Sequence, residues 1–323
     1  MRVGRAWTRR VPWKLVGGVA AAGAALGAAS LFNRIAAERA ESDNPPAGRF
    51  VDLDGLRLHY LDRGAGSPIL LLHGNGATSE DMVASGLVER LARNHRVIVP
   101  DRPGYGYSDR PRGTLWSPEK QAQVMVQLLD RLGVESPVVV GHSWGALVAL
   151  ALALDAPERA RALLLLSGYY YPTARLDVAL LSGPAVPALG DLAAHTVAPI
   201  LARAVLPGLL KRIFQPLPVD SRFRTRFPVA MTLRPRQLRA SAEETAYMVP
   251  AAYALSRRYR ELQLPIVIMA GEGDRIADLQ RQSVRLHREL PTSALAIVPG
   301  AGHMVHYAAT EAVARAADAL AGS

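Results

Sequence analysis

The chain of 323 residues contains no cysteine. Disulfides, thiolate metal sites and cysteine nucleophiles are therefore excluded, and any chemistry must rest on oxygen and nitrogen groups. Aromatic residues make up only 6% of the chain, and lysine is scarcer still: Lys14, Lys120 and Lys211 are the only lysines among 38 basic residues. With the abundance of alanine, this arginine bias looks like the product of a GC-rich genome, so a single arginine is a weak functional signal. No nucleic-acid-binding motif accompanies the net charge of +10, which argues against nucleic acid as the partner. What is present is a 50% hydrophobic chain, ample for a buried core and incompatible with disorder throughout.

The charge is unevenly placed. Residues 1–50 carry a net +5 and residues 168–262 a net +7, while residues 51–167 and 263–323 each carry −1. Two segments therefore need explaining, and the remainder is close to neutral.

The first is N-terminal. Leu15 to Phe32 is an uncharged Ala/Gly-rich run of 18 residues, the length of a membrane-crossing helix. Arg2, Arg5, Arg9, Arg10 and Lys14 precede it, and a slightly acidic flank follows. Cytoplasmic flanks are enriched in Lys and Arg, so residues 1–14 read as a basic cytoplasmic flank, 15–32 as a transmembrane or signal-anchor helix, and 33–49 as a linker into an extracytoplasmic domain. Two alternatives involve export: a signal peptide cleaved near Ala28-Ala29-Ser30, and a twin-arginine signal around Arg9-Arg10. A soluble Ala-rich helix packed on the domain is the third.

From Phe50 onward strands and helices alternate. Phe50–Leu53 and Leu56–Leu61 flank Asp54-Gly55 and read as a hairpin. Apolar runs at 68–72, 96–100, 137–140, 162–166, 265–270 and 294–298 read as strands buried on both faces. Helical patterns lie at 118–132, 146–154, 279–290 and 305–320. This alternation implies an α/β fold with a mostly parallel eight-stranded sheet. It breaks at 168–262, a Pro-interrupted stretch that reads as short helices and loops inserted as a cap over the carboxyl edge of the sheet.

Gly141-His142-Ser143-Trp144-Gly145 fits G-x-S-x-G after the strand Val138-Val139-Val140 and ahead of a helix, the strand-turn-helix context in which such a serine is exposed as a nucleophile. A serine needs a base, and the base needs a carboxylate. Asp274 in Gly271-Glu272-Gly273-Asp274 and His303 in Gly300-Ala301-Gly302-His303 follow in that order, each just past a strand. Glu272 and Asp278 compete for the carboxylate role, and His306 for the base. Leu72-His73-Gly74-Asn75-Gly76 follows the third strand, and Asp101-Arg102-Pro103-Gly104-Tyr105-Gly106-Tyr107-Ser108 the fourth.

These four motifs resemble the α/β-hydrolases, over Phe50 to Leu320. The resemblance implies roles: Ser143 as nucleophile, His303 as general base and then acid, Asp274 as its orienting carboxylate, and the backbone N–H groups of Asn75 and Trp144 as the oxyanion hole. It implies that His73 and Asp101 hold loops and that His142 packs below the elbow. No cofactor and no metal is called for. The pairing of Asn75 with Trp144 also resembles family members that displace halide. Those enzymes use a carboxylate nucleophile, however, and an alkyl-serine ether could not be resolved by water, whereas an acyl-serine ester can.

The expected reaction is therefore acyl transfer to water: ester hydrolysis of a small hydrophobic acyl substrate. A perhydrolase or haloperoxidase, an acyltransferase and a carbon–carbon hydrolase are alternatives on the same triad, and a ligand-binding protein retaining the fold is the non-enzymatic one. The apolar cap residues, Tyr169-Tyr170-Tyr171 among them, are expected to line the acyl site or to form the cap's own core. Arg203 to Arg239 holds nine basic residues and one acid, Asp220. Interleaved with Leu209, Leu210, Ile213 and Phe214, it is expected either to rest on an anionic bilayer or to be a solvated arginine-rich face.

Overall fold

The computed structural model describes residues 13–173, 182–186 and 189–322. The basic flank at 1–12 and the cap residues Leu180 and Leu181 lie outside it. Eight strands form one sheet: β1 (Arg49–Leu53), β2 (Leu56–Arg63), β3 (Ser67–Leu72), β4 (His95–Pro100), β5 (Val138–His142), β6 (Ala162–Leu166), β7 (Ile266–Gly271) and β8 (Ala294–Val298). Their order is β1-β2-β4-β3-β5-β6-β7-β8. The β1–β2 and β2–β4 pairs are antiparallel and the other pairs parallel. Asp54 and Gly55 both take positive φ, 54° and 85°, as a two-residue hairpin turn matched to strand twist requires.

The apolar runs are continuous because both faces of the sheet are covered. Along β3, Ile69 and Leu71 join one buried cluster and Leu70 and Leu72 the other, and β5 divides Val138 and Val140 from Val139 in the same way. The helix Trp144–Asp155 follows β5 directly and is buried along its whole length as far as Leu154. The closing helix breaks at Ala309, giving Val305–Ala308 and Thr310–Gly322.

Between β6 and β7 the chain makes the cap. Its helices are longer than the prolines suggest: Ala198–Phe214 runs through Pro207, and Pro235–Ser256 runs through Pro250. An interior proline removes one backbone bond. In the longer helix, burial of Met248, Ala251, Ala252 and Leu255 around Pro250 offsets that loss. The tyrosines 169–171 take up a buried core position, where Gln282 Oε1 accepts from the N–H groups of Tyr170 and Tyr171 at 2.7 and 2.8 Å.

The N-terminal helix spans Trp13–Asp43 and does not end with the apolar run at Phe32. Residues 17–25 are exposed along it, while Asn33 and Ala40 are buried against the body. Among the described residues it is the one continuous helix long and apolar enough to cross a membrane. That property by itself is shared by signal sequences.

Candidate active site

Ser143 sits at the turn between β5 and the helix Trp144–Asp155 with φ 53° and ψ −115°. A side chain at positive φ is strained, and such strain persists only where the surroundings impose it. Here they do. Ser143 N–H donates to Leu166 O on the neighbouring strand at 2.9 Å. A Cβ on Gly141 would collide with Gly145 O, and one on Gly145 with Leu72 O. The glycines of the motif are thus required by close backbone approach, and the serine is held at the positive end of the helix, where negative charge is favoured.

His303 Nδ1 lies 2.8 Å from Asp274 Oδ2. The other Asp274 oxygen accepts from the N–H groups of Ile276 and Ala277 at 2.8 and 3.0 Å. Both residues are buried. The structure therefore pairs His303 with Asp274. Glu272 instead accepts from Gly300 N–H, Asp278 caps Arg281 N–H, and His306 pairs with Asp81 at 3.0 Å. Among the described residues, Ser143 Oγ makes no hydrogen bond, and the residue is half-buried. Nucleophile–base bonds are often long in unliganded enzymes and tighten around substrate.

Two contacts fix the loops carrying the pair. A Cβ on Gly271 would strike Gly302 O, so the loops after β7 and β8 touch backbone to backbone. A Cβ on Gly302 would strike Gln215 O, and His303 N–H donates to Ile213 O at 3.1 Å. The end of the cap helix Ala198–Phe214 thus rests directly on the histidine loop. His142 lies beneath, its ring 4.9 Å from that of His303 and 4.4 Å from that of His306. Burial, reinforced by those two imidazoles, pushes its pKa well below the ordinary histidine value. A neutral ring whose Nε2 meets His303 O at 3.1 Å donates there, leaving Nδ1 bare, and Nδ1 has no partner among the described residues.

The Asn75 side chain is fully engaged. Nδ2 donates to Ser241 O and Thr245 Oγ1, and Oδ1 accepts from Tyr105 and Ser241 hydroxyls. Its backbone N–H is not engaged: among the described residues neither that N–H nor Trp144 N–H has an acceptor.

The sequence reading missed the group that orients this loop. Arg102 is completely buried. Its Nε donates to His73 O at 2.8 Å and Nη2 to Gly74 O at 3.0 Å. The guanidinium also meets Gln121 and, at 2.5 Å, Glu244 of the cap helix Pro235–Ser256. In a trans peptide the C=O and N–H point oppositely. Gripping Gly74 O therefore fixes the direction of Asn75 N–H. A signal existed: Glu243-Glu244 is an adjacent acidic pair within a basic cap.

His73 and Asp101 complete the support. Asp101 accepts from Ser79 and Tyr107 N–H groups and meets His59 Nδ1 at 2.7 Å. Burial pushes its carboxyl up, but the His59 bond and neighbouring imidazoles outweigh it and hold the pKa below the ordinary value. His73 Nε2 accepts from Arg102 N–H, which leaves Nδ1–H to donate to Gly74 O. Burial first, and Arg102 second, lower its pKa to about 3.

A model of the alpha/beta hydrolase fold matches residues 67–310. The chain belongs to the alpha/beta hydrolase fold family. The 2-hydroxymuconate semialdehyde hydrolase of Pseudomonas putida is 31% identical over 282 residues, covering 85% of this chain and 94% of that protein. Haloalkane dehalogenase 2 of Mycobacterium tuberculosis (strain ATCC 25618 / H37Rv) is 32% identical over 128 residues, 40% and 44% of the two chains. A solved bacterial membrane phospholipase A aligns with TM-score 0.66 at 21% identity over 95% of this chain and 96% of its own. The chain is thus an enzyme of the hydrolase fold.

Proposed function

We propose that this hydrolase cleaves carboxylic esters of hydrophobic substrates through an acyl-serine intermediate. The observation that carries the proposal is the strained Ser143 elbow combined with a buried His303–Asp274 pair at 2.8 Å. Ser143 Oγ attacks the acyl carbon while His303 Nε2 takes its proton, and Asp274 stabilises the resulting imidazolium. The developing oxyanion is met by the N–H groups of Trp144 and Asn75. His303 then protonates the leaving alkoxide, and the same steps with water as nucleophile release the acid. A series of nitrophenyl esters from short to long acyl chains tests this. Ser143→Ala should lose on the order of 10³-fold or more in kcat, and activity retained in that variant would refute the mechanism.

A second reading is favoured by the Pseudomonas putida relative, which is a 2-hydroxymuconate semialdehyde hydrolase and aligns over 94% of its own length. On the same triad, water would cleave a carbon–carbon bond of a vinylogous 1,5-diketone. Turnover of such a diketone with no hydrolysis of any ester would replace the first reading with this one.

We further infer that the N-terminal helix is a retained anchor, with residues 1–14 cytoplasmic and the hydrolase domain extracytoplasmic. Helix runs unbroken through Ala28-Ala29-Ser30 to Asp43, and Asn33 and Ala40 on the same helix are buried against the body, which supports a segment that stays with the domain. The 18 residues 15–32 span about 27 Å at 1.5 Å each, close to the roughly 30 Å of a bilayer core. Recovery of the chain in the alkaline-soluble fraction of membranes would defeat this reading.

A further inference from the structure

The eight basic residues between 211 and 239 divide into two sets. Arg222, Arg234, Arg236 and Arg239 are used internally: Arg222 on Asp220, Ser85 O and Tyr307 O, Arg234 on Glu41, Arg236 on Gly106 O, and Arg239 on Arg110 O. Lys211, Arg212, Arg224 and Arg226 remain exposed, the first two at the end of the helix Ala198–Phe214.

In Ala198–Phe214 the side turned away from the body is apolar. Leu201, Val205 and Leu209, at four-residue spacing, are 62%, 56% and 41% exposed, with Ala204 and Gly208 between them. Leu189 and Leu192 stand exposed on the preceding helix Leu189–His195. The two helices bend by 67° and together are as long and apolar as a membrane span. A surface helix of a soluble domain turns its polar face outward; this pair does the reverse, and Lys211 and Arg212 end the apolar stripe.

The N-terminal helix fixes the level of this surface. Its apolar run ends at Phe32, and the next residue, Asn33, is buried. Asn33 Nδ2 donates to His195 O and Thr196 O, in the bend between the two cap helices, at 3.2 and 2.6 Å. Arg203 donates to Asn33 Oδ1 at 3.0 Å and lies over the Phe32 ring. The cap helices therefore meet the N-terminal helix at the end of its apolar run.

We propose that the helix pair Leu189–His195 and Ala198–Phe214 is an in-plane docking surface for the anionic bilayer at the foot of the N-terminal anchor. Its apolar stripe is buried among the upper acyl chains, and Lys211 and Arg212 meet lipid phosphates. Since the end of Ala198–Phe214 rests on the His303 loop, docking sets the catalytic histidine beside the membrane surface, and the substrate is an amphiphilic ester drawn from the bilayer. This rests on the retained-anchor reading.

The absence of cysteine makes the test clean. Leu201→Cys and Glu158→Cys, the latter at the amino edge of the sheet before β6, are labelled with an environment-sensitive fluorophore. The full chains are reconstituted in phosphatidylcholine/phosphatidylglycerol vesicles carrying nitroxide lipids. Flotation with the vesicles and at least about twofold stronger quenching at 201 than at 158 is expected for an interfacial helix. If the chain floats but the two probes are quenched alike, docking is overturned and the anchor stands; if it does not float, both fall. Shielding of position 201 that persists in detergent and grows with protein concentration identifies a second copy of the chain as the occupant and overturns the lipid assignment. As an independent readout, Leu201→Asn combined with Val205→Asn should raise KM for a vesicle-borne long-chain ester several-fold and leave hydrolysis of a short soluble ester unchanged. Equal effects on both substrates contradict the proposal.

Discussion

The catalytic body and the cap handle polar groups in opposite ways. In the body, residues 51–167 and 263–323 are nearly neutral, and the sheet is covered on both faces by apolar residues. Its buried polar groups are concentrated at the carboxyl edge, where each serves a loop: Asp274 the imidazole of His303, Asp101 the turn at Tyr107, Arg102 the carbonyls of His73 and Gly74. The cap carries the charge and, beside its own buried residues, leaves an apolar stripe exposed at Leu201, Val205 and Leu209. The difference teaches that the body is built to hold a few atoms still, whereas the cap supplies a surface. The two meet at the Arg102–Glu244 pair and where Gln215 presses on Gly302.

The sharpest way to break this division is at the pair the body holds most closely. Asp274→Asn keeps the shape but removes the charge that orients His303, and kcat should fall about 10⁴-fold while the fold survives. A far-ultraviolet circular dichroism spectrum together with steady-state kinetics checks both halves. A loss of less than tenfold would mean that another carboxylate, Glu272 or Asp278, does the orienting.

Next comes the seam. Glu244→Gln leaves the Arg102 guanidinium buried without its counter-charge, a change that costs about 3–5 kcal/mol when both groups are fully buried. Thermal unfolding should report it. The loosened Gly74–Asn75 peptide should lower kcat more than it raises KM, because the oxyanion is met in the transition state. A variant as stable and active as the parent would show that Arg102 is held by Gln121 and the two carbonyls alone.

A smaller effect follows from pH. His73 titrates near 6.5 in the unfolded chain but near 3 when folded. Between those values the unfolded state binds the additional proton, so stability rises with pH through that window and is level above it. His73 should therefore contribute a loss of about 2 kcal/mol between pH 7.5 and pH 5. Urea unfolding at the two pH values measures it, and equal stabilities would contradict the buried, neutral ring.

Much of the body was legible because its signals are local. The Asp54-Gly55 turn, the two-sided apolar strands and the G-x-S-x-G elbow each follow from residues adjacent in the chain. The order of Ser143, Asp274 and His303 could be read without knowing distances. The cap was less legible because proline is a strong local signal that tertiary packing overrode at Pro250. The tyrosines 169–171 could be read either as substrate-site or as core residues, because the partner that ties them into the core, Gln282, lies more than a hundred positions away. The same holds for Arg102 and Glu244, separated by 142 residues and joined only in the folded chain. Nor could the sequence tell why Gly302 is glycine. The loop looks like a flexible turn, and it is the closeness of Gln215 that forbids a side chain there.

The central claim is that Ser143 carries the acyl group. With an activated nitrophenyl ester the acyl-serine forms faster than water releases it, so acid quenching during the first turnovers of the wild-type protein should catch the acyl chain on it. Intact mass followed by peptide mapping measures this directly. Up to one acyl group per chain is expected, on the peptide containing Ser143, and none in the Ser143→Ala variant. An acyl group mapped to any other residue, or its persistence in the Ser143→Ala variant, would contradict the claim.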